Sequence, residues 1–252
     1  FPKLNMYRKF LWKRSSKNFF KITCPTKDLL SYLKKENVFE INKMFYLQDA
    51  IINIQDYIKK IKENDKVFLD KIEKYNHYFL AVGRLTKQKN YPYLINEFIN
   101  YLKIKKDGIL LIIGDGEEKD ALIELIKKHN VSENIFILNN INNVYPFMKK
   151  ARALILPSLW EEVGFVIVEA AFCNLFVISS DCPNGPIEFL ENGEAGYLFQ
   201  SNKKNELKKK IENFTKAERN LIKLKIRAKK NSSNYSLFRH YLSLKNILSH
   251  EN

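Results

Sequence analysis

The stretch ILPSLWEEVGFVIVEAAF, residues 155–172, sets Glu161, Glu162 and Glu169 around an apolar run that otherwise reads as protein core. Glu161 falls in the loop after the strand-like ALILPS. Glu169, seven intervening residues later, lies more than one turn inside the helix that begins near Gly164. A helix start carries N–H groups without intrahelical acceptors and a partial positive charge. Gly164, Phe165 and Val166 therefore offer amides to a phosphate or to sugar oxygens. Carboxylates beside those amides repel a phosphate but accept hydrogen bonds from hydroxyls, above all from vicinal diols. Glu162 is read as exposed.

A second group of chemically competent residues lies in AVGRLTKQKN. Gly83 permits a tight exit from a strand, and Arg84 and Lys89, five apart, follow just before a helix. One planar fork and one flexible ammonium suit a diphosphate with its several oxygens. Surface cation pairs are common, and Glu169 taken by itself reads as an exposed helical carboxylate. Taken together, the groups match a ligand with a central diphosphate and a polyol at each end, which is a nucleotide sugar. The glycines of GDGEEKDAL do not form a dinucleotide fingerprint, because Lys119 stands where GxGxxG needs its third glycine. That segment reads as a turn and a helix start capped by Asp115.

The elements that must position these groups follow one pattern from about residue 77. Short apolar strands (HYFLAVG, ILLIIGDG, IFIL, ALILPS, LFVISSD) alternate with amphipathic helices, expected over residues 91–105, 117–129, 144–150 and 164–173. Near-continuous apolar strands between helices predict an α/β fold, a doubly wound parallel sheet covered on both faces. Ligands in such sheets bind at the carboxyl ends of the strands, which is where both groups fall. Residues 203–230 read as Lys-rich helix with Leu207, Ile211, Phe214, Leu221, Leu224 and Ala228 inside. A break at NSSN, residues 231–234, precedes a last helix over 235–248, with Ser232 or Ser233 as its cap.

The first 76 residues lack a repeating βαβ series. CPTKDLLSYLKK predicts a strand end, a cap at Thr26 and a helix. MYRKFLWKRSSKNFFKI interleaves Phe10, Leu11, Trp12, Phe19 and Phe20 with basic residues, which suits an anionic membrane surface or a helix packed against a neighbouring domain. Lys and Arg outnumber Asp and Glu by 43 to 28 across the 252 residues, so the average surface favours anionic partners. A Lys-, Ile- and Asn-rich bias of this kind also arises from genomic base composition. Three cysteines without a CxxC pair predict reduced thiols in the cytoplasm. Four scattered histidines predict no metal site. No apolar run approaches 18 residues, so no transmembrane helix is expected in this chain; it begins with Phe1 and shows no charged-then-apolar leader, so no signal peptide is visible and the expectation is a piece of a longer protein.

The segments AVGRLTKQKN, LIIGDGEEKDAL, ALILPSLWEEVGFVIVEAAFCN and VISSDCPNGPIEFLENGEAGYLF together resemble the GT-B glycosyltransferases of the retaining, family 4 type, over residues 78–199. The resemblance implies a GT-B C-terminal Rossmann-like domain with a partial N-terminal domain. Its boundaries would be 1–76 for the acceptor-side remnant, 77–230 for the donor domain and 231–252 for a helix crossing back. It implies a sugar moved from a nucleotide-diphosphate sugar, such as a UDP- or GDP-sugar, to a glycan or lipid-linked acceptor with retention, in cell-surface polysaccharide or glycolipid synthesis. Arg84 and Lys89 would hold the diphosphate beside Gly83, Glu161 would contact the transferred sugar, Glu169 the ribose diol, and amides of Gly164, Phe165 and Val166 the sugar and phosphate. The implied catalytic set is Arg84, Lys89 and Glu161, with no cofactor and no metal; no Asp-x-Asp pair exists in the chain. The complete enzyme would act in the cytoplasm, peripheral on the inner membrane face, and this chain alone would turn over poorly.

The sequence departs from the family pattern where Glu162 and Val163 follow Glu161, and where LNNINN replaces a usual glycine near the base. Two other classes compete: a non-catalytic nucleotide-sugar or phosphate-binding module, and a basic nucleic-acid-binding domain. The latter lacks a reader motif, so no nucleic-acid partner is expected.

Overall fold

The computed structural model describes residues 5–62, 78–139, 141–217 and 221–249. The expected boundary at 76/77 and Asn140 of LNNINN lie outside the described residues. The first unit comprises α1 (Met6–Ser16), β1 (Ile22–Cys24), α2 (Lys27–Lys35), β2 (Met44–Tyr46) and α3 (Ile54–Lys60). β1 and β2 pair in parallel, Ile22 opposite Met44, so one βαβ unit is present. Thr26 caps α2 as expected, accepting from Leu29 N–H at 3.2 Å. α1 is tied to this unit by stacking of Trp12 on Phe39 at 5.7 Å and by a Lys9–Glu36 ion pair. Met6, Tyr7, Phe10 and Phe20 remain exposed.

The second unit alternates β3 (Phe79–Val82), α4 (Tyr91–Leu102), β4 (Leu110–Ile113), α5 (Lys119–Lys128), β5 (Ile135–Leu138), α6 (Tyr145–Lys150), β6 (Ala153–Leu156), α7 (Phe165–Phe172), β7 (Phe176–Ser180), α8 (Gly185–Phe189) and β8 (Tyr197–Phe199). It closes with α9 (Glu206–Ala217), α10 (Ile222–Ser233) and α11 (Leu237–Ser249). Among the described residues these strands form one parallel six-stranded sheet in the order β5-β4-β3-β6-β7-β8. Side chains alternate across it. Leu80, Leu111, Leu154 and Val177 pack with α6 and α7 on one face, whereas Phe79, Leu110, Ile155 and Phe176 pack with α4, α5 and α9 on the other. Burial on both faces explains why the strands are apolar throughout instead of alternating.

The order reverses between β3 and β6, the topological switch point of a doubly wound sheet. These two strands pair only at Phe79–Ala153 and Leu80–Leu154, whereas β3 and β4 pair over four residues. The crevice between them opens at the carboxyl ends, where the cationic turn and the Glu161 loop emerge.

Two capping expectations are corrected. The helix after GDG begins at Lys119 behind Glu118, and Asp115 Oδ1 instead accepts from the adjacent Gly116 N–H at 3.0 Å. The Lys-rich segment forms two helices, and the second runs through the expected NSSN break to Ser233. There Ser232 and Ser233 hydroxyls donate back to Lys229 and Lys230 carbonyls. Ser236 caps α11, accepting from Arg239 N–H at 3.3 Å. Leu224 is only partly buried; the other five expected inner positions are buried.

The units are joined where α3 packs on α6 and α7, through Tyr57 against Tyr145 and Phe172, and by two sets of hydrogen bonds. Ile51 and Ile52 N–H donate to the Tyr235 carbonyl at 2.8 and 2.9 Å, and His240 Nδ1 lies 2.6 Å from the Gln48 carbonyl at the start of α11. Glu188 of α8 accepts from Lys27 N–H and from the Tyr46 hydroxyl, both at 2.8 Å.

Candidate active site

The crevice at the switch point is a cleft of about 910 Å³, and every residue singled out from the sequence lines it: Gly83, Arg84 and Lys89 on one side, Glu161, Gly164, Phe165, Val166 and Glu169 on the other. Its two walls are the loops after β3 and β6, stitched together by three consecutive residues. Gln88 Nε2 donates to the Trp160 carbonyl at 2.7 Å, and Gln88 accepts from Leu159 N–H at 2.8 Å. Lys89 Nζ lies 2.5 Å from Glu161 Oε1. Asn90 Nδ2 reaches the Pro157 carbonyl at 3.3 Å from a left-handed backbone, φ +55°, at the start of α4. Sequence reasoning used only Lys89 of these; amide side chains in a polar turn carry no local sign of the loop they will meet.

Glu161 is almost wholly buried, its side chain 8% exposed beside the 14% of Lys89. A buried carboxylate needs compensating partners. Ser158 Oγ supplies one, donating to Glu161 Oε1 at 2.6 Å. Asn184 Nδ2 holds the Glu161 backbone carbonyl at 3.0 Å, and the Ser158 carbonyl is itself held by Ser180 Oγ at 2.6 Å. Ser158, Ser180 and Asn184 thus form a supporting layer that sequence reasoning missed; the Ser of the PS dipeptide, three residues before Glu161, was the available signal. Glu162 is exposed, as expected.

Gly164 begins α7 in a left-handed conformation, φ +76°, which a side chain rarely adopts. Ile167 N–H is committed to the Gly164 carbonyl at 3.0 Å, so the first-turn amides of Phe165 and Val166 are the ones left for a ligand. Glu169 sits one turn further along. Burial pushes its carboxyl pKa up, and the hydrogen bond from Tyr145 and the charge of Lys60 oppose that rise.

The GDG glycines serve this site indirectly. A Cβ at Gly114 would fall 1.9 Å from the Gly83 carbonyl oxygen, and one at Gly116 would fall 2.5 Å from the Leu85 carbonyl oxygen. Leu85 N–H donates to the Asp115 carbonyl at 2.8 Å. Bare backbone at 114–116 is therefore the bed on which the Arg84 turn lies. Gly185 plays the same part opposite, its Cβ position being 2.2 Å from the Val163 carbonyl oxygen.

The arrangement places two cations, two free helix amides and three carboxylates, the exposed Glu162 among them, around one cleft. Among the described residues no group of three or more His, Cys, Asp or Glu side chains is placed to hold a metal ion. No helix among them is long and apolar enough to cross a membrane.

Comparison with known proteins shows the family and the fold. The chain is 35% identical over 154 residues to an uncharacterized glycosyltransferase of Methanocaldococcus jannaschii, covering 61% of this chain and 35% of that protein. It is 30% identical over 183 residues to the N-acetylgalactosamine-N,N'-diacetylbacillosaminyl-diphospho-undecaprenol 4-alpha-N-acetylgalactosaminyltransferase of Campylobacter jejuni, covering 73% of this chain and 49% of that one. The chain thus spans about a third to a half of the length of these curated relatives. The crystal structure of HepE from Anabaena in complex with UDP superposes with a TM-score of 0.83 at 16% identity, over 98% of this chain and 68% of that one, a likeness of fold that is GT-B. The sequence model described as "Glycosyl transferases group 1" matches residues 61–233, and this chain belongs to that family.

Proposed function

We propose that this chain is the donor-binding part of a retaining glycosyltransferase of the family 4 type, taking a nucleotide-diphosphate sugar such as a UDP- or GDP-sugar. The observation that carries the reading is the convergence of Arg84, Lys89, Glu161, Glu169 and the α7 amides on one cleft at the β3–β6 switch point. Arg84 and Lys89 stabilise charge building on the leaving diphosphate, a preorganised electrostatic role worth ~3 kcal/mol per donor group. Phe165 and Val166 amides add to it, so cations and amides serve where other enzymes use a metal. Glu161, neutralised by Lys89, accepts hydroxyls of the transferred sugar. Glu169 takes the ribose diol.

Residues 1–76 are read as the end of the acceptor-side domain, 77–230 as the donor domain and 231–252 as the segment, containing α11, that returns toward the acceptor side, consistent with the Tyr235 and His240 contacts to residues 48–52. The acceptor is a glycan or a lipid-linked glycan in cell-surface polysaccharide or glycolipid synthesis; by their names, the Campylobacter jejuni relative and the UDP-Gal:alpha-D-GlcNAc-diphosphoundecaprenol alpha-1,3-galactosyltransferase of Escherichia coli act on diphospho-undecaprenol-linked sugars. The exposed aromatic and basic residues of α1 suit the anionic inner face of a membrane, which supports reading the enzyme as a peripheral protein of the cytoplasm.

Calorimetric titration of this chain with UDP, GDP and their sugar conjugates, repeated with Glu169→Ala, tests the reading. Binding of one nucleotide family that the variant loses supports it. A folded chain that binds none of them sinks it, and efficient sugar transfer by this chain alone would overturn the division of labour between domains.

A further inference from the structure

Glu169 is held from behind. Tyr145, buried at the start of α6, aims its hydroxyl at Glu169 Oε1 from 3.3 Å. Tyr145 does not line the cleft, whereas Glu169 does. Three neighbours fix its ring. Tyr57 of α3 meets it edge-on at 5.2 Å and also meets Phe172 of α7 edge-on at 4.8 Å. Lys60 Nζ lies 5.9 Å from the ring centroid. Asn143 accepts from Tyr145 N–H at 3.2 Å and donates to the Lys60 carbonyl at 2.6 Å. With Tyr57 and Lys60 of α3 against the ring and Asn143 holding its backbone N–H, the phenol oxygen is directed at Glu169.

We infer that Tyr145 is a positioning residue that sets specificity for the ribose end of the nucleotide: its hydroxyl occupies one lone pair of Glu169 Oε1 and turns the carboxylate so that Oε2 faces a vicinal diol in the cleft. The inference rests on the reading of Glu169 in the proposed function. An ionised carboxylate has about four lone-pair sites, and a donor on one of them fixes the plane of the other three. A diol needs two acceptor directions at fixed spacing, so an unrestrained carboxylate binds it less well than a restrained one. The same hydrogen bond, with the Lys60 charge, opposes the effect of burial on the Glu169 carboxyl and so favours the form that accepts from both hydroxyls. Tyr57 and Lys60 belong to α3, which follows directly on the strand of contacts between residues 48–52 and α11. The ribose subsite is thereby braced by the first unit as well as by the donor domain.

The test compares UDP with 2′,3′-dideoxy-UDP by calorimetry on the wild-type chain, Tyr145→Phe and Glu169→Gln, in parallel with GDP and 2′,3′-dideoxy-GDP; the base that binds more tightly sets the comparison. Tyr145→Phe keeps the ring packing and removes only the donor, and a thermal melt checks that the fold is retained. The expected result is a loss of roughly tenfold in affinity for the ribonucleotide, the scale of one hydrogen bond to a charged group, with the dideoxy form unchanged. Equal weakening of both nucleotides by Tyr145→Phe would reduce the residue to packing and overturn the inference, as would an unchanged preference for the ribonucleotide. If Glu169→Gln also leaves the preference intact, the ribose assignment itself fails. A wild-type chain that binds neither base removes both.

Discussion

Gly114→Ala separates the support of the cationic turn from every other feature of the site. Position 114 has no left-handed backbone, so the substitution carries no conformational penalty of that kind and acts through sterics alone. Its Cβ would stand 1.9 Å from the Gly83 carbonyl oxygen and 3.0 Å from the carbonyl carbon, both in the residue preceding Arg84. The oxygen must retreat by about 1 Å to reach the 3.0 Å that real Cβ atoms respect, and a backbone carbonyl cannot rotate aside as a flexible side chain would. Overpacking of this kind costs ~1–3 kcal/mol of stability. A shift of ~1 Å in a group that positions a reacting ligand costs on the order of 100-fold in rate, and the expected loss of UDP or GDP affinity is at least tenfold. Gly193→Ala is the comparison: its φ is +102° with nothing within 4 Å of the added Cβ, so it carries backbone strain of ~1–3 kcal/mol and no steric push on the cleft. Urea unfolding should show both variants destabilised, and calorimetry should show only Gly114→Ala losing nucleotide. A folded Gly114→Ala chain that binds with wild-type affinity would refute the argument that the GDG segment positions Arg84.

Lys89→Met strands the buried Glu161 carboxylate with Ser158 as its remaining side-chain hydrogen-bond donor. A loss of roughly 3–5 kcal/mol is expected in urea unfolding, and Lys89→Met combined with Glu161→Leu should recover most of it without recovering nucleotide binding. Because burial raises the Glu169 pKa, this carboxyl favours the fold while protonated, and that contribution disappears as pH rises through its raised folded value. Glu169→Gln should therefore stabilise the chain at pH 7, the gain shrinking as pH falls toward the ordinary value of 4.5; a gain independent of pH would contradict the burial argument. Glu188→Ala removes the acceptor for Lys27 N–H and the Tyr46 hydroxyl, with an expected cost of ~1–3 kcal/mol. Amide exchange should quicken across residues 27–35 and stay slow in β6, and uniform quickening would mean that the bridge does not mark a boundary.

Helix ends illustrate how much of the fold was legible. The chain has eight glycines, and asparagine takes the left-handed position after several helices. Asn130 and Asn174 have φ of +54° and +61°, each followed by a residue whose N–H reaches back to the last turn: Val131 to Ile126 at 3.3 Å and Leu175 to Ala170 at 2.9 Å. Thr26 was readable as a cap because its side chain acts on its own helix three residues on. Asp115 and the serines at 232–233 carried the same sign and proved false. Asp115 is spent on the adjacent amide, and the burial of Ala228 and Ser232 carries α10 past the polar run.

The strands, the crossover order of their helices and the seven-residue spacing of Glu161 and Glu169 are set by residues near one another in the chain, and local periodicity was enough to place them at strand ends. Which groups meet across the cleft was decided only by tertiary structure. The parallel sheet brings residues 83–90 beside residues 157–164, and the partners of Lys89, Gln88 and Asn90 lie more than 60 positions away. The same holds for Tyr145 behind Glu169 and for Gly114 beneath Gly83. A hydrogen bond or a close backbone approach between distant segments leaves no periodic trace in either one, because each segment alone satisfies the same local rules with or without its partner.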